Sequence, residues 1–166
     1  MSLTTLIEDS RGAIDADPAK AAVGFTVTGQ LVGTTEVAVS ARGHTLTVDE
    51  PRALGGTDLG ANPVEHALIA LASCQAITYR FWAAKLGIEL DSVEVVATGD
   101  LDVRGFFGFD DGVRPGFAAV RLTVTPAGPE PAERYQQLAD AVDAHCPVLD
   151  LFSNATPIER TIAGTA

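Results

Sequence analysis

The sequence predicts an α+β fold in which blocks of strands are separated by single helices. Two groups of valine- and threonine-rich segments lie on either side of a long apolar segment, residues 62–86, and an amphipathic segment, residues 129–144, follows the second group. The order is β-β-β-α-β-β-α-β, which favours an α+β architecture over a doubly wound parallel sheet. The 166 residues contain no repeat or linker, and their 46% hydrophobic content suffices for the core of one domain spanning residues 1–166.

The first part of the chain predicts a weak helix followed by three strands. Residues 3–20 form a weakly helical N-terminal extension, which we expect Gly12 and Pro18 to break. The next three segments are rich in valine and threonine and have turn residues between them. The predicted strands are residues 25–32, 35–41 and 44–48, the turns lie at Gly33 and at Arg42-Gly43, and a loop covers residues 54–61.

The long apolar segment carries the signals of a helix start. Asn62 is a preferred N-cap residue, Pro63 suits the first helical turn, and Glu65 occupies the capping-box position. We expect Gly87 to end this helix.

Burial of the same helix sets a further requirement. Through Ser73 the segment is apolar on nearly every side, so the helix has to be buried all round. A single sheet covers only one side of a helix. We therefore expect an obligate homodimer in which two such helices are enclosed by two sheets, with a second layer from the same chain as the alternative.

The second half of the chain predicts two strands, a helix and a last strand. Periodicity and turn residues separate these elements. They are strands at 93–103 and 118–125, a flexible, aromatic-bearing connection at 104–116, an amphipathic helix at 129–144 with Tyr135, Leu138 and Val142 on one side, a short turn or helix that begins at Cys146-Pro147, and a strand at 157–162.

Composition narrows the classes of function. Eleven lysines and arginines against 22 aspartates and glutamates leave a net charge of −11, which argues against nucleic acid as a partner. The N-terminus has no signal-peptide pattern, and the longest apolar run, residues 67–72, is too short to cross a membrane. We therefore expect a cytoplasmic protein. Thiols are kept reduced there, so a pair of cysteines indicates catalysis or redox sensing more than a structural disulfide.

The two cysteines, Cys74 and Cys146, are the candidate reactive groups. A thiolate needs a nearby cation or a helix N-terminus, and Cys74 lies about three turns into its helix, where the dipole helps little. An arginine from elsewhere is therefore required. Arg42 and Arg52 precede the helix, and further candidates are Arg11, Arg104 and Arg114. The structural alternative is that both cysteines are small core residues. Two cysteines cannot build a zinc site, so we expect no metal and no other cofactor.

Other residues near these cysteines also have two interpretations. Glu65 lies nine residues before Cys74, on the opposite side of a straight helix, so it caps the helix or orients an arginine without touching Cys74. His145 is an ordinary polar residue or tunes the neighbouring thiol. Four phenylalanines pack in the core or loops, or line an apolar pocket for an organic substrate. They are Phe106, Phe107, Phe109 and Phe117.

Several motifs, in order from about residue 25 to the C-terminus, together resemble the OsmC/Ohr family of thiol-dependent hydroperoxide reductases. They are Leu54-Gly55-Gly56-Thr57-Asp58, Asn62-Pro63-Val64-Glu65, Ala70-Leu71-Ala72-Ser73-Cys74, Gly87-Ile88-Glu89-Leu90 and Cys146-Pro147-Val148. The resemblance implies an OsmC-like fold, an intertwined homodimer with central helices wrapped by antiparallel sheets, and reduction of organic hydroperoxides to alcohols.

The resemblance also implies a role for each site residue. Cys74 is the peroxidatic and Cys146 the resolving cysteine, so that a sulfenic acid becomes an intramolecular disulfide. Arg42, or else Arg52, stabilises the thiolate, and Glu65 holds that arginine. A dithiol donor, either a lipoyl-bearing or a thioredoxin-like protein, restores the pair. Organic hydroperoxide resistance members carry glutamate directly after Asn-Pro, where this chain has Val64, so the pattern is closer to the broad OsmC-like branch.

Two other functions compete with the peroxidase. A binding module would hold a small apolar ligand in the dimer cleft and would tolerate loss of Cys74. A redox sensor would use the disulfide to change a partner interaction and would consume peroxide only slowly or stoichiometrically.

Overall fold

The computed structural model describes residues 2–164 and confirms an α+β fold with antiparallel sheets. The elements in chain order are α1 (Leu3–Ala16), β1 (Val27–Leu31), β2 (Val37–Ala41), β3 (His44–Val48), α2 (Pro63–Leu86), β4 (Ser92–Asp100), α3 (Val103–Phe107), β5 (Ala119–Ala127), α4 (Ala132–Asp143) and α5 (Pro147–Ser153). Short 3₁₀ turns lie at Pro18–Ala21 and Arg52–Leu54. None of the helices within residues 2–164 combines the length and hydropathy that a membrane span requires.

The strands form two separate antiparallel sheets. The first is the meander β1-β2-β3, in which Val39 pairs with Gly29 on one side and with Leu46 on the other. The second is the hairpin of β4 and β5, in register at Val95 and Val124. Residues of β4 and β5 alternate strictly between exposed and half-buried, and β4 packs against α2, so one face of this hairpin covers the long helix.

Helix α2 begins and ends where the sequence predicts. The Asn62 Oδ1 accepts a hydrogen bond from the Glu65 backbone N–H at 2.9 Å, and the Glu65 carboxylate accepts one from the Asn62 N–H at 2.8 Å. This reciprocal capping box satisfies two otherwise unpaired donors. Gly87 ends the helix in the left-handed conformation, with φ of 61°, which an L side chain adopts only with strain.

The core lies between α2, α4 and the β4–β5 hairpin. Leu138 and Val142 of α4 are fully buried against Tyr79 and Ala83 of α2. The opposite side of α2 is uncovered within one chain, and Ile77 on that side is 59% exposed. The expectation that α2 is buried all round is therefore not met by a single chain, because the chain provides a layer on only one side.

Three expectations about elements are wrong. Helix α1 continues through Gly12, because one interior glycine costs only about 1 kcal/mol and the Ser2 side chain caps the helix start. Val103 belongs to α3 rather than to a strand, so the connection at 104–116, expected to be flexible, starts with a helical turn. Residues 157–162 form no strand in the described chain. No neighbouring strand edge offers them hydrogen bonds, and Ile158 is 89% exposed.

Asp49 organises the loop that leads into α2. Its buried carboxylate accepts hydrogen bonds from the Thr35 hydroxyl at 2.6 Å, from the Thr57 hydroxyl at 2.8 Å and from the backbone N–H groups of Glu50, Thr57 and Leu59. These donors, with Thr35 first, hold the pKa of Asp49 well below its usual range. The same loop brings Gly56 so close to the Glu50 carbonyl that a side chain there would collide with it.

We predict that Asp49→Asn destabilises the protein at neutral pH and has a smaller effect in acid. The folded-state pKa of Asp49 is below the ordinary value of 3.8, so its contribution is present above that value and is lost as pH falls below it. Urea unfolding of both proteins between pH 7 and pH 2 should show the difference in the free energy of unfolding shrink below about pH 4.

Asp58→Asn is the matched control, because Asp58 is exposed in the same loop and its side chain accepts none of these hydrogen bonds. It should leave the free energy of unfolding unchanged at neutral pH. An Asp49→Asn protein as stable as the wild type at pH 7 would contradict the structural role of this carboxylate.

Candidate active site

The fold brings the two cysteines together from distant parts of the sequence. Cys74 lies about three turns into α2, and Cys146 is the residue immediately before α5. Both are free thiols, and they are near enough for Cys74 to influence the pKa of the Cys146 thiol. Packing of α4 on α2 produces this meeting, because the chain turns from α4 directly into Cys146.

The two thiols have different surroundings. Cys146 is 2% exposed, whereas Cys74 is half-buried at the border between the core side and the open side of α2. Burial raises the pKa of the Cys146 thiol, and Cys74 raises it further through a hydrogen bond and through charge. The backbone N–H groups of Leu149 and Val148, at the start of α5, act in the opposite direction. Cys146 therefore keeps its proton at neutral pH.

Two clefts border α5. The first has a volume of about 410 Å³, and its walls are largely apolar residues of α2, β5 and α5. Leu71, one turn before Cys74, lines it together with Phe117, Phe152 and the cation Arg114. We call this the apolar cleft.

The second cleft has a volume of about 590 Å³ and lies between the α4–α5 corner and the segment after α5. Cys146 is part of its wall, and the carboxylates of Asp143 and Asp150 line it. We call this the acidic cleft. Leu149 and Leu151 border both clefts, but of the two cysteines only Cys146 lines a cleft, the acidic one.

The two arginines expected first to activate Cys74 lie on exposed turns. Arg42 lies in the exposed β2–β3 turn with φ of 57°, and Arg52 lies in the exposed 3₁₀ turn before α2. Neither guanidinium forms an ion pair with a carboxylate in residues 2–164. Arg104 is paired with Asp102, and only Arg114 of the candidates lines the apolar cleft.

Glu65 also lies away from the cysteines. Its carboxylate is engaged in the capping box at the start of α2, and the residue is exposed. The capping interpretation is therefore confirmed for the single chain. The expectation that Glu65 and Cys74 do not touch is consistent with their positions on the helix.

Gln75 is a residue that the sequence analysis did not single out. It is fully buried beside Cys74 in the chain, and neither its amide oxygen nor its amide nitrogen has a hydrogen-bond partner within residues 2–164. A buried amide without partners is costly, which distinguishes this position from an ordinary core residue. A polar residue in the middle of an apolar helix face was the available sequence signal.

The remaining expected site residues divide between packing and the cleft wall. His145 packs against Trp82 with ring centroids 4.2 Å apart and the rings tilted, its Nδ1 is 2.8 Å from the Ala141 carbonyl oxygen, and it lines the acidic cleft beside Cys146. Of the phenylalanines, Phe117 lines the apolar cleft. The other three form an exposed aromatic cluster of Phe106, Phe107 and Phe109.

Metal-ligating side chains do not cluster in the described part of the chain. No group of three or more histidines, cysteines, aspartates and glutamates within residues 2–164 has the arrangement to hold an ion. The chemistry that the site offers is thiol chemistry.

Comparison with protein families gives a match to the model described as "OsmC-like protein" over residues 56–161, which includes both cysteines. None of the curated protein sequences compared with the chain matches it.

Solved structures share the fold. An OsmC-like protein of Mycoplasma pneumoniae is 19% identical, has a TM-score of 0.69, and the match covers 79% of this chain and 88% of that one. The organic hydroperoxide resistance protein OsmC of Legionella pneumophila is 20% identical with a TM-score of 0.61, covering 78% and 89%. The organic hydroperoxide resistance protein OhrB of Bacillus subtilis is 21% identical with a TM-score of 0.53, covering 78% and 90%. At these identities the likeness shows the fold.

We predict that a neutral alkylating agent labels Cys74 before Cys146 in the native protein. Cys146 is buried and protonated at neutral pH, whereas Cys74 is half-exposed, so the initial rates at pH 7 should differ by at least about tenfold. Peptide mapping after brief treatment with iodoacetamide measures the two rates.

Denatured protein provides the control, because in guanidinium chloride both thiols are exposed and should be labelled at similar rates. Equal labelling of the two cysteines in the folded protein would contradict the asymmetry of burial.

Proposed function

The chain belongs to the OsmC-like protein family, and we propose that it is a cysteine-based peroxidase that reduces organic hydroperoxides to alcohols in defence against oxidative stress. Hydrogen peroxide is a further substrate in this proposal. The observation that carries it is that the fold brings Cys74 near enough to influence the pKa of the Cys146 thiol, while an apolar cleft reaches α2 at Leu71, one turn before Cys74. Two free thiols that are neighbours in a folded protein can form a disulfide.

The first step is attack by the Cys74 thiolate on the distal oxygen of the hydroperoxide. The S–O bond forms as the O–O bond breaks, the sulfur is oxidised to a sulfenic acid, and the alkoxide leaves and takes a proton to become an alcohol. The apolar cleft beside Leu71 provides room for the organic part of the substrate, with Phe117 and Phe152 in its wall.

The second step forms the disulfide. The Cys146 sulfur attacks the Cys74 sulfenic acid, an S–S bond forms, and the hydroxyl leaves with the Cys146 proton as water. The high pKa of Cys146 suits this role, because a thiol that keeps its proton does not compete with Cys74 for the peroxide. A dithiol donor of the reducing cytoplasm, lipoyl-bearing or thioredoxin-like, then restores both thiols, and no metal or organic cofactor is needed.

An arginine stabilises the Cys74 thiolate and the charge that develops on the leaving oxygen. We assign this to Arg42, with Arg52 as the second choice and Glu65 as the carboxylate that orients the arginine. Arg114 becomes a third candidate because it lines the apolar cleft. Arg42 and Arg52 precede α2 on exposed turns, and neither lines the apolar cleft.

The same proposal includes a homodimer. The uncovered side of α2 exposes Ile69, Ile77 and Phe81 next to Cys74, and all five residues of β1 are exposed. Large exposed apolar patches mark interaction surfaces. A second copy would cover this side of α2 and provide the layer that one chain lacks.

We predict that the wild type consumes an organic hydroperoxide catalytically in the presence of dithiothreitol and that Cys74→Ser abolishes turnover. Serine cannot form the sulfenic acid, so the steady-state rate should fall to the uncatalysed background. Cys146→Ser should keep partial turnover, because dithiothreitol can reduce the Cys74 sulfenic acid directly. Folded, reduced wild-type protein without turnover would overturn the peroxidase and favour the binding module or the sensor.

The arginine assignment is tested in the same assay with three matched variants. Arg42→Gln should lower kcat/KM by about 10²-fold, as expected for loss of one charged stabilising group, whereas Arg52→Gln and Arg114→Gln should not. If instead one of the other two variants carries the loss, that arginine takes the role. Glu65→Gln keeps a hydrogen-bonding side chain at the capping position, so a slower peroxide reaction with unchanged stability would support its orienting role.

We predict that the protein sediments as a dimer of its 17.2 kDa chain at micromolar concentration. Ile77→Glu places a charge on the uncovered side of α2 and should shift the protein toward monomer, because a buried charge without a partner is costly. Glu133→Gln, on the exposed side of α4, is the control and should not change the mass. A monomeric wild type would contradict the homodimer.

A further inference from the structure

We infer that the reducing thiol enters through the acidic cleft and attacks Cys146, not Cys74, and that the cleft prefers a cationic or neutral thiol to an anionic one. This inference rests on the proposed Cys74–Cys146 disulfide and adds to it which sulfur is attacked, from which side, and by which class of reductant. The observation behind it is that Cys146 forms part of the wall of this cleft.

Cys146 is part of the wall of the acidic cleft, whereas Cys74 lines neither cleft. The acidic cleft opens between the α4–α5 corner and the segment after α5, and Cys146 lies between its wall residues His145 and Pro147. The apolar cleft, which shares Leu149, Leu151 and Ser153 with it, is the place proposed for the hydroperoxide. Oxidant and reductant would therefore approach the cysteine pair through different clefts.

The different solvation of the two sulfurs also favours attack on Cys146. When a thiolate attacks a disulfide, the sulfur that is not attacked leaves as a thiolate, and exchange is faster when the leaving thiolate is more stable. Attack on Cys74 would leave the negative charge on Cys146, which is 2% exposed. Attack on Cys146 leaves the charge on Cys74, which is half-exposed, so the smaller desolvation cost accompanies attack on Cys146.

The charges around the cleft determine which thiols can approach. Asp143 and Asp150 line it, and no lysine or arginine does. The whole chain carries a net charge of −11. A negatively charged thiol is therefore repelled at close range, whereas an ammonium group near the reacting sulfur is attracted.

The exchange balances as follows. The thiolate RS⁻ attacks the Cys146 sulfur, the S–S bond of the protein breaks, and Cys74 leaves as thiolate, which gives a mixed disulfide on Cys146. A second thiol attacks the sulfur of R, so Cys146 regains a proton as a thiol and the reductant leaves as RSSR. The protein gains two electrons and the two thiols lose them.

The experiment uses the full-length protein oxidised with diamide, so that disulfide formation does not depend on peroxidase activity. The oxidised protein is mixed briefly with cysteamine, quenched in acid and mapped by mass spectrometry after peptic digestion. We expect the cysteamine adduct on Cys146 and a free thiol at Cys74. An adduct mainly on Cys74 would overturn the inference alone. Failure of diamide to join the two cysteines would overturn both the inference and the proposed disulfide.

The second arm measures charge selection. For the wild type and each variant, the rate of disulfide reduction by cysteamine is divided by the rate with mercaptoacetate. Each variant is judged by the change in this ratio. Asp150→Asn removes a charge from the cleft and keeps an acceptor for the Asn154 side chain, which now donates to Asp150 at 2.8 Å. At low ionic strength the ratio should fall about threefold.

Asp140→Asn is the matched control, because Asp140 lies outside the cleft wall on α4 and its acceptor for Gln136 is also kept. The ratio should not change in this variant. A ratio that stays constant in Asp150→Asn, or that falls equally in both variants, would overturn the acidic cleft as the entrance for the reductant.

Discussion

The packing of α4 against α2 is the constraint on which the cysteine pair depends. Leu138 and Val142 are fully buried against the core side of α2, and this contact fixes where α4 ends. The chain then turns directly into Cys146, so the position of the second thiol follows from the helix packing and not from any local motif. Because a protein interior is closely packed, a shift of α4 on α2 also moves Cys146. The apolar contacts between these two helices therefore set the distance between the two sulfurs.

Solvation separates the roles of two chemically identical groups. Cys146 is buried and keeps its proton, whereas Cys74 borders the uncovered side of α2. The same asymmetry acts in both halves of the proposed cycle, because the half-exposed sulfur is the better place for negative charge when it attacks and again when it leaves. One structural difference therefore gives a consistent direction to oxidation and to reduction.

Local signals in the sequence predicted the part of the structure that local interactions determine. The limits of α2 were predicted because Asn62, Glu65 and Gly87 act within one turn of the helix ends. The continuation of α1 through Gly12 was missed because a helix tolerates the small cost of one glycine. The strand predicted at 157–162 failed for a different reason: an extended segment becomes a strand only beside an open sheet edge, and the composition of the segment does not contain that information.

The cysteines of the candidate site could be predicted from the sequence, but their surroundings could not. The two thiols stand out as the only cysteines of the chain, and their meeting was expected from the family resemblance, but periodicity alone could not have placed α4 on α2. Gln75 left only the weak signal of one polar residue on an apolar helix face, and the two clefts around α5 depend on tertiary packing and left none. The exposed positions of Arg42 and Arg52 could not be predicted either, because tertiary packing determines where a residue on a turn lies.

The uncovered side of α2 connects stability with chemistry. Ile69 and Ile77 are exposed on the side of the helix that adjoins Cys74, so whatever covers this apolar surface also changes the surroundings of the Cys74 sulfur. Covering it with another copy of the chain would remove water from Cys74 and strengthen the effect of any cation placed there, because charges interact more strongly at low local dielectric constant. Within one chain Arg42 and Arg52 lie on exposed turns, and the surface that lacks a cover is beside Cys74. Association of two copies would then also activate the Cys74 thiol. An isolated chain would have both an apolar face exposed to water and a weakly activated cysteine.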